Sequence, residues 1–351
     1  MKANFGFIIR ALLAALFFGA SAPISKLLLR DVPPILMAAF LYLGSGTGIS
    51  LIKLTQRLTL NQKEAGIKRQ DVIWLAGAII SGGILAPIIL MISLKNTPAS
   101  TASLLLNFEG VGTTLIALFF FRESISRRAL AAMAAITIAS IFLSTNFQSG
   151  FAFSLGALGI LLACVLWGVD NNFTRNISGK DPLIIVAWKG LIAGTFSLIL
   201  GLLLGQQLPT LITILSILLL GFISYGLSTM LFIYSMRGLG AARTSALYGT
   251  APLAGVLLSI LIFKDPITFL FGIAAVLMVA GALLLANEEH AHFHIHMPVV
   301  HEHRHTWTDE FHQHEERDEL AGKSHSHEHE HPQTEHEHGH MPDIHHRHQD
   351  E

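Results

Sequence analysis

The chain has 351 residues, 52% of them hydrophobic and 13% charged, with a formal net charge of −1 at neutral pH. A soluble domain carries about a quarter charged residues, so this composition excludes an ordinary water-soluble globule. The charges are also segregated: residues 1–287 hold 19 Lys and Arg against 8 Asp and Glu, a formal +11, and residues 288–351 hold 4 against 16, a formal −12.

Before Glu288, apolar blocks of about 20 residues follow one another, each long enough to cross a hydrocarbon core of about 30 Å as a helix. In chain order they predict ten spans, near residues 7–29, 33–54, 72–94, 98–121, 127–145, 154–176, 182–204, 210–236, 242–263 and 266–286. The first contains Ala20-Ser21-Ala22, which resembles a leader cleavage site. Arg10 interrupts its apolar stretch, however, and a later span repeats its pattern, so it is read as a span. The loop after the second span carries Lys53, Arg57, Lys63, Lys68 and Arg69, and that after the fourth carries Arg122, Arg127 and Arg128. The loops "STNFQSG" and "GQQLP" carry no base. Lys and Arg collect in cytoplasmic loops, so both termini are expected in the cytoplasm of a multi-pass cell-membrane protein. Cys164 lies in an apolar block with no second cysteine to pair with, and is expected to pack as a small apolar residue.

The spans repeat. "FFGASAPISK" (17–26) aligns with "LWGVDNNFTR" (166–175), matching Gly19 to Gly168 and Lys26 to Arg175. "ASTASLLLNFEGVGTTLIALFFFRESI" (99–125) aligns with "AARTSALYGTAPLAGVLLSILIFKDPI" (241–267). Five spans per copy is an odd number, so the second copy is expected upside down, as in the inverted repeats of secondary transporters. On these motifs residues 1–287 resemble the EamA-type transporters of the drug/metabolite transporter superfamily. That family's fourth span reads Leu-Glu-Pro, where this chain has Phe108-Glu109-Gly110 in one copy and Thr250-Ala251-Pro252 in the other. The resemblance implies an all-α membrane fold of ten helices and an exporter of small metabolites. Three segments follow: repeats over 1–145 and 146–287, and a tail over 288–351.

Polar residues inside the apolar blocks are the candidate substrate site, because an ionisable side chain at membrane depth usually faces a bundle interior or a wet cavity. Glu109 lies halfway along the fourth span, with Thr113 one turn on, on the same face. Its alternative role is to cap a neighbouring backbone group at a kink. Asp170, Asn171 and Asn172 follow one another in the sixth span, and three adjacent polar groups on a helix predict either unwinding or a wet vestibule. Asp170 alternatively pairs with a base. Lys189, seven residues into the seventh span, is placed to neutralise a buried acid. Thr244, Tyr248 and Pro252 form a stripe at i, i+4 and i+8, and Ser224, Tyr225, Ser228 and Thr229 enrich the eighth span. Small and hydroxylated groups of this kind serve packing seams more often than ligands. Gly82-Gly83 and Pro87 loosen the third span. Lys26 and Arg175 are expected to snorkel to headgroups.

All 19 histidines lie between His290 and His348. The tail is acidic and poor in aromatics, and disorder is its expected state. Its His-x-His steps gather His290, His292, His294, His296, His301, His303, His305, His325, His327, His329, His331, His336, His338 and His340 as metal ligands, with Zn, Ni or Co the ions implied. A pH-responsive polyampholyte is the competing reading. No nucleophile–base set or cofactor loop marks an enzyme, and transport itself needs no cofactor. The reading is thus a secondary transporter with a metal-binding tail. Its alternatives are a divalent-metal exporter whose tail collects the cargo, and a membrane-anchored metal sensor without transport. The partners implied are the bilayer, a small-molecule or ion substrate, divalent metal ions and a second copy in a homodimer; nucleic acid is not among them.

Overall fold

Inside a bilayer a backbone satisfies its own N–H and C=O groups only as a helix or a closed barrel. Among the described residues before Glu288 the computed structural model is helical, apart from turns and loops and a short antiparallel pair of Thr145–Asn146 with Ala152–Phe153. It describes residues 2–59, 65–121, 127–146, 152–177, 180–239, 244, 247–265, 267–286 and, as backbone, 290–296, 299–306, 324–331 and 334–340. Seven helices among these are long and apolar enough to cross a membrane: Phe5–Leu28, Pro34–Gln56, Arg69–Lys95, Ala99–Phe120, Leu155–Arg175, Pro182–Leu203 and Leu211–Ser235. Three shorter apolar helices, Leu130–Leu143, Ala251–Phe263 and Phe269–Gly281, lie where the remaining spans are expected.

Four of the spanning helices are interrupted. The first divides at Ala20 into α1 (Lys2–Gly19) and α2 (Ser21–Leu28). After the unbroken α3 (Pro34–Thr59), the next span runs as α4 (Val72–Ala78), a π-helical segment Ile79–Leu85 and α5 (Ala86–Lys95). The fourth breaks at Leu106-Asn107 between α6 (Ala99–Leu105) and α7 (Phe108–Phe121). Past α8 (Arg127–Ser144), helix α9 covers Leu155–Arg175 and α10 covers Pro182–Leu203. Next come α11 (Leu211–Gly221), a second π-helical segment Phe222–Leu227 and α12 (Ser228–Leu239). Helix α13 (Ala251–Phe263) follows a turn at Gly249-Thr250, and α14 (Phe269–Ala286) closes the helical part.

Local chemistry sets several starts. Ser154 accepts from the Ala157 N–H at 3.3 Å, Thr210 from Thr213 at 3.3 Å, and Asp181 from Leu183 at 2.9 Å with Pro182 in the first turn of α10. Glycines then let the helices close up. Any Cβ on Gly46 would meet the Leu191 nitrogen at 2.5 Å, and one on Gly190 would meet Gly46 at 2.5 Å, so α3 and α10 touch backbone to backbone. Gly44 and Gly221 do the same between α3 and α11. Such small-residue seams replace the hydrophobic drive that is missing between helices in lipid. Leu36, Met37, Leu41, Leu90, Met91, Leu94, Leu104, Leu105, Ile136 and Ile160 fill the core around them.

Of the two alternatives for Asp170-Asn171-Asn172, unwinding is excluded: α9 is continuous through all three, because their side chains find partners on neighbouring helices. In the tail the described backbone pairs antiparallel, His290–His296 with Thr334–His340 and Val299–Thr306 with Ser324–His331. A His-x-His alternation has period two, which is also the period of a strand. The metal-ligand assignments fall on histidine side chains, which lie outside the described residues.

Candidate functional site

A cavity of about 600 Å³ opens between α1, α3, α7, α9, α10, α12 and the second π-helical segment. Its lining runs from Phe18, Tyr42, Glu109 and Trp167 near mid-span to Thr174, Pro182, Val186 and Ile233. Those last residues stand at the end of the bundle where Lys53 pairs with Asp181 and Lys180 lies 3.5 Å from Asp71. The Asp181 N–H also donates to the Ala65 carbonyl at 2.9 Å, tying the loop before α4 to the start of α10.

The opposite end contributes nothing to the lining. There Lys26 turns inward and donates to the carbonyls of Leu94 at 2.9 Å, Lys95 at 3.4 Å and Thr97. Asp265 accepts from the Ser100 N–H at 3.0 Å and its hydroxyl at 2.7 Å, capping α6. The expected snorkelling of Lys26 is therefore corrected: the free carbonyls at the end of α5 offer the ammonium more than headgroup water does.

Glu109 owes its position to the break in its span. With Leu106 and Asn107 in a turn, α7 restarts at Phe108 and holds the carboxylate in its first turn, where the helix dipole favours an anion. The carbonyls loosened by the break are met in part by Cys164, whose thiol lies 3.5 Å from the Leu105 oxygen. Across the gap, Asn171 Nδ2 donates to Glu109 Oε1 at 2.8 Å and to Thr113 Oγ1 at 3.1 Å. The Thr113 hydroxyl donates to the Glu109 main-chain oxygen at 2.9 Å, so it holds the helix and not the carboxylate. Asn172 donates to the carbonyls of Thr113 (3.0 Å) and Gly168 (2.8 Å), pinning α9 to α7. Gly168 makes that approach possible, since its Cβ would meet Thr113 N at 2.6 Å.

Asp170, beside Asn171 on the same turn of α9, is almost wholly buried and is paired with Lys189 of α10. Thr174 donates to its other oxygen at 3.0 Å. The carboxylate occupies the space left by Gly82, whose Cβ position it fills. The π-helical turn around Gly82 presents its carbonyl to two donors, Tyr42 Oη at 2.6 Å and Trp167 Nε1 at 3.0 Å. Such π-helical turns recur at functional sites because they free backbone groups and shift a helix face. Tyr225, in the second π-helical segment, stands in an aromatic chain: 5.7 Å from Tyr42 and 6.0 Å from Phe18, which lies 5.6 Å from Tyr248, itself 4.8 Å from Phe232.

Glu109, Thr113, Asp170, Asn171, Lys189 and Tyr248, chosen from sequence, thus meet at one cavity, while Asn172 faces α7 behind it. Phe18, Tyr42, Trp167 and Phe232 were not singled out; in a chain with 22 phenylalanines an aromatic residue in an apolar block is no signal. Thr244 is fully buried and Pro252 opens α13, both away from the lining.

The EamA-like transporter family model matches this chain twice, over residues 6–145 and 154–287. An uncharacterized transporter of Methanothermobacter thermautotrophicus is 27% identical over 301 residues, 81% of this chain and 87% of the relative. A solved crystal structure, 21% identical, superposes with a TM-score of 0.58 over 80% of this chain and 95% of that one, a likeness of fold.

Proposed function

From the premise that this chain belongs to the EamA-like transporter family, we propose that it is a secondary exporter of a small organic solute. The solute loads from the cytoplasm into the cavity around Glu109. One observation carries the reading: a membrane-depth cavity holds a carboxylate whose described partner is a neutral amide. A buried ion without a counter-ion is costly in hydrocarbon and marks a proton or substrate path. The cavity reaches the end of the bundle bearing Lys53 and Lys180, the basic and hence cytoplasmic side. The far end is sealed through Lys26 and Asp265. Alternating access between two inverted halves follows. Its support is the twofold family match and the near-equivalent placing of the turns at Leu106-Asn107 and Gly249-Thr250.

Divalent metal fits the cavity poorly. Among the described residues no group of three His, Cys, Asp or Glu could hold an ion. The tail suits metal better, since its backbone register sets His290 opposite His340, His292 opposite His338 and His303 opposite His327. We therefore assign metal to the tail as a cytoplasmic collector or regulator and not to the transported cargo.

The test is a pH-gradient assay in proteoliposomes, with amines, amino acids, sugars and divalent metals offered separately. One organic class should dissipate the gradient, and Glu109→Gln should abolish that flux while the protein still inserts and folds. Undiminished flux in the variant would return Glu109 to a purely structural role.

A further inference from the structure

The geometry points to a monoamine cation with an apolar or aromatic body as the solute, its ammonium at Glu109 and its body against the aromatic wall. This rests on the cavity being the transport site and adds the chemical class that the site selects. Three charged side chains line the cavity among the described residues: Glu109, Asp170 and Lys189. Asp170 and Lys189 neutralise each other. Glu109 is held by the Asn171 amide at 2.8 Å, with no ion pair among the described residues, so once ionised it leaves the lining one uncompensated negative charge. A ligand ammonium supplies the missing charge.

The opposing wall fits the same ligand. Phe18, Tyr42, Tyr225, Phe232 and Tyr248 form a continuous run with ring centroids 4.8–6.0 Å apart, and Trp167 stands on the α9 side. Ring faces attract a cation and also cover an apolar body. A volume of about 600 Å³ holds a molecule of metabolite size.

Other charge types fit less well. A zwitterion would bring a carboxylate whose one described cationic partner, Lys189, is already bound to Asp170. An anion would meet Glu109 directly. A polyhydroxylated solute would strip its hydroxyls of water against rings that return few hydrogen bonds.

Three probes of nearly one shape separate these cases: 2-phenylethylamine, L-phenylalanine and 3-phenylpropionate, titrated by calorimetry into the full-length chain in detergent. 2-Phenylethylamine should bind at least tenfold more tightly than either of the others. Glu109→Gln should weaken it at least tenfold, and Glu109→Asp should restore part of the loss. The probe series on the unaltered chain decides the matter even if a variant folds poorly. Equal or tighter binding of phenylalanine or phenylpropionate, or no binding of any probe, overturns the inference, as does full affinity in Glu109→Gln. These failures are separable from failure of the transport reading. Gradient dissipation by a non-amine solute refutes the amine and keeps the transport site; dissipation by no solute class refutes the proposed proton-coupled export whatever binds.

Discussion

At Asp170 the side chain is 4% exposed and its charge is balanced by Lys189, itself 20% exposed. Replacing Lys189 by Met leaves an ionised acid in the bundle with no counter-ion. Removing one partner of a buried pair costs about 3–5 kcal/mol, whereas replacing both by neutral groups is often close to neutral. Lys189→Met should therefore lower the melting temperature in detergent sharply, and Asp170→Asn/Lys189→Met should recover most of the loss. If the double variant melts no higher than the single one, the pair is not what stabilises this junction. Lys189 was placed opposite a buried acid from its position in an apolar block, and that much was legible. The identity of the acid was not, because the two stand nineteen positions apart across a loop and sequence spacing carries no information across helices.

The element that sequence reasoning did not foresee is the π-helical turn. Ile79–Leu85 and Phe222–Leu227 each widen a span by one bond, and no residue type encodes that; Gly82-Gly83 and Gly226 hint only at looseness. What fixes the first turn is visible in three dimensions, where Gly82 gives its carbonyl to both Tyr42 and Trp167. A buried hydrogen bond is worth about 0.5–1.5 kcal/mol, and a carbonyl left with no donor costs about 1–3 kcal/mol. Tyr42→Phe and Trp167→Phe should each cost about 1 kcal/mol while the other donor remains. The double variant should cost more than the sum, a deviation that thermal or denaturant melts will read as coupling. Strict additivity would mean that the two donors act separately. The turns at Leu106-Asn107 and Gly249-Thr250 were better marked, since Glu109 and Pro252 stand just beyond them.

Across the whole molecule, the seven long spans were readable because apolar length obeys the bilayer's dimensions. The aromatic wall was not, since it is assembled from α1, α3, α12, the second π-helical segment and Tyr248, far apart in sequence. Orientation and tail chemistry meet in one measurement. Zinc added to inside-out vesicles should be bound by the intact chain and much less by a chain lacking residues 290–351, while right-side-out vesicles should bind none through the tail. Tail-dependent binding on right-side-out vesicles would reverse the proposed orientation. At the sealed end, the ammonium of Lys26 sits on three carbonyls at the close of the third span. Under the proposed export cycle, release to the outside would break those charge-assisted bonds before water replaces them, so the latch would act as a thermal barrier. Lys26→Met should make turnover less steeply dependent on temperature and raise passive leak of solute, both measurable from Arrhenius plots of liposome efflux. On that proposal the side chain that looked like a membrane anchor would be the cycle's timekeeper, setting how long the loaded cavity waits before it discharges.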